Sequence, residues 1–289
     1  MKKKTGEAQS TSSALPPAKK SLGQNFLADQ RVIERIVSAF APQSNETVIE
    51  IGPGRGALTS HLIERAGHLI AVEFDRELVP LLEKKFGARQ NFTLFEADAL
   101  TVDFCSLIQP AATTPTARVI ANLPYYISTA ILQKLIEERR CLTEMVLMLQ
   151  REVVERITAG PATSERGYLS VLVQAYCEAE VLFDVAPGSF RPQPKVWSTV
   201  VRLRLRESSV TEMFDLELMW PTVSAGFMQR RKTILNNLRH APEPLRRRIE
   251  DAGGAKSVLE AASIEEARRA ETLTLEEWAE LSSAIHRES

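Results

Sequence analysis

With 289 residues, 44% of them hydrophobic and 25% charged, the chain has an ordinary globular composition. That length accommodates one large unit and a small one. A formal net charge of −1 excludes a globally basic nucleic-acid binder but leaves room for local basic patches. No run approaches the ~18 apolar residues of a spanning helix, so no membrane partner is expected.

The opening stretch MKKKTGEAQSTSSALPPAKK carries lysines, Ser, Thr and Pro without an apolar segment. It reads as a disordered basic arm over residues 1–20, not as a secretory signal. In SLGQNFLADQRVIERIVSAF, Asp29 offers an N-cap, and Val32, Ile33, Ile36, Val37 and Phe40 recur at helical spacing. From residue 46 strands and helices alternate. TVIEIG is a strand, ALTSHLIERA a helix, LIAVEF a strand, RELVPLLEKKF a helix and FTLFEAD a strand. After a Pro/Thr-rich connection come the strand ARVIAN, the helix STAILQKLIEER and the strand EMVLMLQ. Near-continuous apolar strands in such βα alternation predict a mostly parallel sheet covered on both faces, an α/β Rossmann-like class. GYLSVLVQAYCEAEVLFDVA predicts helix then strand, and WSTVVRLRLR a strand at or near a sheet edge. Past residue 206 only helical patterns follow, so a boundary is expected between units 21–206 and 207–289.

Cys105, Cys141 and Cys177 are an odd, scattered set with no C-x-x-C pair. This argues against a disulfide framework and a zinc site, and it fits a reducing cytoplasm. The four histidines show no ligand spacing, so no metal is expected.

EIGPGRGALT sets Gly52, Gly54 and Gly56 between a strand and a helix. Glycines there permit a tight turn and close approach of a ligand to the main chain, which points to a nucleotide-type cofactor of open identity. A tight turn without a ligand is the alternative. Glu73 closes the next strand, where a carboxylate can accept from both ribose hydroxyls; a surface Glu before a helix is the alternative. Asp98 closes the third strand, placed to accept from an adenine amino group or to cap a turn. Asn122 closes the fourth, in ARVIANLPYYIS. Polar groups at four consecutive strand ends stand where open α/β sheets bind ligands.

The chain resembles the ribosomal small-subunit RNA adenine dimethyltransferases, the KsgA family. The matching stretches are LGQNFL, EIGPGRGALT, AVEFDRELVP, EADAL, ANLPYYIS, QREVVERI, FRPQPKVWSTVVRL and FMQRRKTILNNL, in order. The resemblance implies S-adenosylmethionine as cofactor, touched by Asn25, Leu27, Gly52, Gly54, Glu73, Asp98 and Asn122. It implies that Asn122, Leu123, Pro124 and Tyr125 hold the target base and that Phe190 closes its other side. It implies dimethylation of two adjacent adenosines in a hairpin near the 3′ end of 16S rRNA, by a cytoplasmic protein expected to be monomeric. Arg230, Arg231 and Lys232, with Arg191 and Lys195 beside Phe190, are the expected phosphate contacts.

The chemistry suits those residues. An adenine 6-amino lone pair is delocalised into the ring. The Asn122 oxygen and a Leu123 or Pro124 carbonyl can accept from its N–H groups and free that pair, while Tyr125 stacks on the ring. Tyr126 is expected to pack beneath the loop. Rival readings are a macrolide-resistance type large-subunit rRNA methyltransferase, a small-subunit assembly checkpoint, and a nicotinamide dehydrogenase, which leaves Asn122 to Tyr125 unexplained.

Overall fold

The computed structural model describes residues 15–108, 116–206 and 216–286. A two-residue strand β1 (Phe26–Leu27) precedes helix α1 (Gln30–Phe40). Then follow β2 (Thr47–Ile51), α2 (Thr59–Leu62), β3 (His68–Glu73), α3 (Val79–Phe86), β4 (Phe92–Glu96) and α4 (Phe104–Leu107). Next come β5 (Ala117–Asn122), α5 (Ser128–Glu137), β6 (Leu142–Gln150), α6 (Arg151–Thr158) and α7 (Tyr168–Tyr176). Strands β7 (Cys177–Val185), β8 (Phe190–Arg191) and β9 (Ser198–Leu205) complete this part.

Seven strands form one sheet in the order β4-β3-β2-β5-β6-β9-β7. The first five in that order run parallel, while β9 lies antiparallel between β6 and β7. The edge placement expected for WSTVVRLRLR is therefore met one strand inward from β7. Both faces are covered, which explains why the inner strands are apolar without alternation. Ile49, Ile51, Val119 and Leu147 face a core shared with α5 and α7. Val48, Ile120 and Val146 face another, built with α1 and α2. Asp29 caps α1 as expected, accepting from the Arg31 N–H, and Ile33, Ile36, Val37 and Phe40 are its buried stripe. Between β2 and β5 the strand order reverses, which opens a crevice at their carboxyl ends.

Beyond residues 207–215, which lie outside the described residues, come α8 (Leu216–Gly226), α9 (Ile234–Arg239), α10 (Leu245–Asp251), α11 (Gly254–Ala261) and α12 (Leu275–His286). They share a core around the fully buried Trp278, to which α7 contributes Val171. The seam with the sheet unit is tied by Trp220 Nε1 donating to the Tyr176 hydroxyl (3.2 Å) and by Ala162 N–H donating to the Glu271 carbonyl (2.8 Å).

Several expectations change. Cys105 and Cys141 form a disulfide, with only Cys177 free, against the reading of three unpaired thiols. Parity and C-x-x-C spacing do not register a pair 36 residues apart that the fold brings together at α4 and the turn before β6. Residues 1–14 of the expected arm lie outside the described residues, but its end is docked. Lys19 Nζ pairs with Asp75 at 2.6 Å, and the Pro16 carbonyl accepts from Arg55 (2.6 Å). The helix expected after the glycines is a single turn, α2. Helices α6 and α11, and the β1–β8 ladder, were not foreseen.

Candidate active site

The crevice is a cavity of about 470 Å³, within the range of small-molecule sites. Gly52, Glu73, Asp98 and Asn122 all line it, each delivered by the end of a different strand. Asn25, Leu27, Gly54, Leu123, Pro124 and Tyr125 line it as well. Gly52 turns at φ +67°, and a Cβ added there meets no atom within 4 Å. The main chain thus faces open space, and any other residue would fill room that a ligand needs.

Glu73 is buried and rigidly held. Its Oε2 accepts from Gly54 N–H (2.9 Å) and its Oε1 from Asp75 N–H (2.8 Å). Burial pushes its carboxyl up, and the two backbone donors oppose the rise. Each oxygen keeps a second lone pair for a ligand hydroxyl. Asp98 accepts from Leu100 N–H (2.9 Å) and also lines the cavity. These groups fit the adenosine and methionine parts of S-adenosylmethionine: an open glycine turn, a buried carboxylate and an acidic strand end in sequence around one wall.

Glu50 also lines this wall, and nothing in the sequence reading singled it out. It is 2% exposed, accepts from Thr59 Oγ1 at 2.7 Å, and burial, chiefly, pushes its carboxyl up to about 8. A glutamate near the end of the otherwise apolar strand TVIEI was the available signal. Asp75 anchors the entrance loop, residues 19–25, accepting from Lys19 Nζ (2.6 Å) and Gln24 Nε2 (2.7 Å), and it also accepts from Glu77 N–H (3.1 Å) in the turn that follows. Burial alone would raise its carboxyl, but those donors outweigh burial and hold it low.

Asn122 Nδ2 donates to the Asn25 carbonyl (3.1 Å). Only the NH₂ end of an amide can make that bond, so the entrance loop commits the Asn122 oxygen to accepting. Asn25 holds its own loop by donating to the Gly23 carbonyl (3.1 Å). The Pro124 carbonyl is taken by Ile127 N–H (3.2 Å), whereas no group among the described residues donates to the Leu123 carbonyl. Of the two carbonyls considered, Leu123 is therefore the free one. The Tyr125 ring is half-buried, with its hydroxyl 2.6 Å from Ser198 Oγ. Burial raises this phenol, and Ser198 opposes the rise.

Two aromatic expectations fail. Tyr126 does not pack beneath the loop: it is 61% exposed and lines the cavity. Phe190 is 1% exposed and sits in the core with Leu27, its partner in the β1–β8 ladder, outside the cavity lining. A two-residue ladder is too short to announce itself in sequence, and it turns that ring inward.

The basic residues divide. Arg230 donates to the Ser164 and Arg166 carbonyls, which commits it to the seam between the helical unit and the loop before α7. Arg231 and Lys232 are exposed in the turn before α9 and make no ion pair among the described residues. Lys195 is likewise exposed and unpaired among them, on the loop between β8 and β9. Arg191 lines the cavity, with Nη1 donating to the Gly188 (2.9 Å) and Phe190 (2.7 Å) carbonyls.

The model of the family "Ribosomal RNA adenine dimethylase" matches residues 17–281. Ribosomal RNA small subunit methyltransferase A of Alkaliphilus metalliredigens is 42% identical over 266 residues, covering 92% of this chain and 91% of that one. The protein of the same name from Xanthomonas euvesicatoria is 46% identical over 233 residues, covering 81% and 87%. Among solved structures, a dimethyladenosine transferase from Plasmodium falciparum superposes with a TM-score of 0.71 at 26% identity, covering 89% of this chain and 95% of that one. The 23S rRNA methyltransferase ErmE gives 0.65 at 26% identity, covering 91% and 100%. The sheet order and the helical carboxyl-terminal part are those of a Rossmann-like class I methyltransferase. The chain belongs to the ribosomal RNA adenine dimethylase family and is an S-adenosylmethionine-dependent rRNA methyltransferase.

Proposed function

We propose that this protein dimethylates the 6-amino groups of two adjacent adenosines in a hairpin near the 3′ end of 16S rRNA, within the small ribosomal subunit or its precursor. It acts in the cytoplasm, as a monomer. The observation that carries the reading is the convergence of the Gly52 turn, Glu73, Asp98 and the Asn122–Tyr125 loop on one cavity.

When bound, S-adenosylmethionine supplies an electrophilic methyl on sulfur. Gly52 would give it main-chain room, Gly54 steadies Glu73 through its N–H, Asn25 and Leu27 would flank it, Glu73 would accept from its ribose hydroxyls, and Asp98 would accept from its adenine amino group. The target base must leave its stack to enter. Asn122 Oδ1 and the Leu123 carbonyl accept from the two amino N–H groups and draw the nitrogen towards tetrahedral geometry. Pro124 fixes the loop, and Tyr125 stacks against the ring. The nitrogen lone pair would form the new bond to the methyl carbon as that carbon's bond to sulfur breaks, the bonding pair staying on the sulfur of the departing thioether, and one N–H proton leaves to solvent. Positioning does most of the work. Leaving the pocket open to a monomethylated amine lets the transfer repeat.

Phe190 supports the site from beneath: it anchors the strand that presents Arg191 at the cavity wall. Residues 21–206 are the methyl-transfer unit and 207–289 a helical unit that meets RNA through Arg231 and Lys232. Arg191 and Lys195 contact phosphate near the target. Arg230 orients that turn through its carbonyl contacts.

Expression in a bacterial strain lacking the modification tests this reading. Primer extension on 16S rRNA should stop at the two adenosines; read-through at both would refute it. The assembly-checkpoint reading coexists, because binding the particle precedes the chemistry.

A further inference from the structure

An exposed aromatic ring that lines a cavity offers a flat stacking face to whatever enters it. Tyr126 is such a ring, and the contrast with its neighbour is sharp. Tyr125 is half-buried and its hydroxyl is bound to Ser198. Tyr126 is 61% exposed, lines the cavity, and its hydroxyl has no partner among the described residues. It is nonetheless placed, not loose. The Cδ1–Cε1 edge rests on Gly23, which turns at φ +59°; a Cβ there would come within 3.0 Å of Cδ1 and push the ring away. Gly23 is in turn held by Asn25, whose carbonyl also holds Asn122. The ring thus shares a scaffold with the acceptor amide while facing solvent.

A base that leaves its stack uncovers a face of the nucleotide beside it. That face is apolar, and covering it with an aromatic ring is worth a few-fold to a hundred-fold or so in affinity. We propose that Tyr126 is the platform for the nucleotide adjoining the target adenosine, a specificity-determining contact separate from the pocket that holds the target. The assignment rests on the proposed reading of the Asn122–Tyr125 loop as the acceptor pocket. With two adjacent targets, the platform holds one adenosine while its neighbour is methylated. It thereby favours RNAs whose adjoining residue carries a large purine face.

The test compares unaltered protein, Tyr126→Ala and Tyr126→Phe on small subunits reconstituted with intact 16S rRNA or with either of the two adenosines made abasic. On intact particles Tyr126→Ala should lower kcat/KM about tenfold, Tyr126→Phe should retain it, and S-adenosylmethionine affinity by calorimetry should be the same for all three. On the abasic particle that removes the stacked base, unaltered protein and Tyr126→Ala should methylate the remaining adenosine at the same rate. An undiminished rate for Tyr126→Ala on intact particles overturns the proposal. So does an equal loss on intact and on both abasic particles, which would make the ring structural. Failure of unaltered protein to methylate any particle overturns this assignment together with the proposed function, whereas methylation without a Tyr126 effect leaves that function standing.

Discussion

On the proposed reading the cavity has a cofactor wall and an acceptor wall, and the two are built on different principles. The cofactor wall is made of strand ends: Glu50, Gly52, Glu73 and Asp98 sit on a close-packed parallel sheet, and the two glutamates are buried with fixed partners. The acceptor wall is made of loops. Asn122 depends on the entrance loop for its orientation, Tyr125 on Ser198, and Tyr126 stands mostly in solvent. A wall that always binds the same small molecule can be pre-formed and closed. A wall that must admit and release a base on a large RNA keeps its rings accessible, and its polar groups are oriented by second contacts across the entrance.

Substitutions on the two walls should therefore fail in different ways. The largest effect is expected for Asn122→Ala. Turnover should fall about 100-fold or more, as for loss of a group that acts on the reacting atoms. Calorimetry should find S-adenosylmethionine binding much less affected. Glu73→Ala should do the reverse, weakening S-adenosylmethionine roughly 10- to 100-fold for loss of charge-assisted hydrogen bonds. Comparable losses of cofactor affinity in the two variants would break the division between the walls.

Those effects mirror what could be read in advance. The sheet, its parallel part and the polar strand ends were legible because long apolar strands and glycine turns are local signals. So were the Asp29 cap and the stripe of α1. Contacts that depend on distant chain segments were not. The Asn25–Asn122 bond spans 97 residues, and the Cys105–Cys141 link spans 36. The β1–β8 ladder, which turns Phe190 into the core, joins segments from opposite ends of the sheet unit. Tyr126 and Tyr125 have the same composition in sequence, and only the placement of Gly23 and Ser198 tells them apart. Arg230 and Arg231 are likewise adjacent, yet one closes a seam and the other faces solvent.

That last contrast yields a smaller effect. Arg231→Ala and Lys232→Ala should each flatten the salt dependence of RNA binding by about one unit of slope. Arg230→Ala should instead lower thermal stability, with the slope nearly unchanged. Identical slopes for all three variants and unaltered protein would remove this turn from the RNA interface.

The subtlest prediction concerns Glu50. Its folded carboxyl stands at about 8 against an ordinary 4.5. Between those values the folded chain therefore holds a proton that the unfolded chain has released. The stability this group contributes is complete below the lower value and is lost as pH rises through the upper one. Urea unfolding across pH 5 to 8 should show stability falling with a slope of up to about one proton. In Glu50→Gln, which carries a permanent N–H donor, that component should vanish. An unchanged slope in the variant would mean that Glu50 is not the proton carrier of the cofactor wall.

The central claim is that the cofactor wall and the Asn122 wall together deliver methyl groups to paired adenosines of small-subunit rRNA. Mass spectrometry of rRNA after incubation of under-methylated small subunits with isotopically labelled S-adenosylmethionine tests it directly. The unaltered protein should place labelled dimethyladenosine at two adjacent positions of 16S rRNA. Asn122→Ala should leave both adenosines unmodified while still binding the cofactor. Label in 23S rRNA, no label at all, or full methylation by the variant would contradict the account.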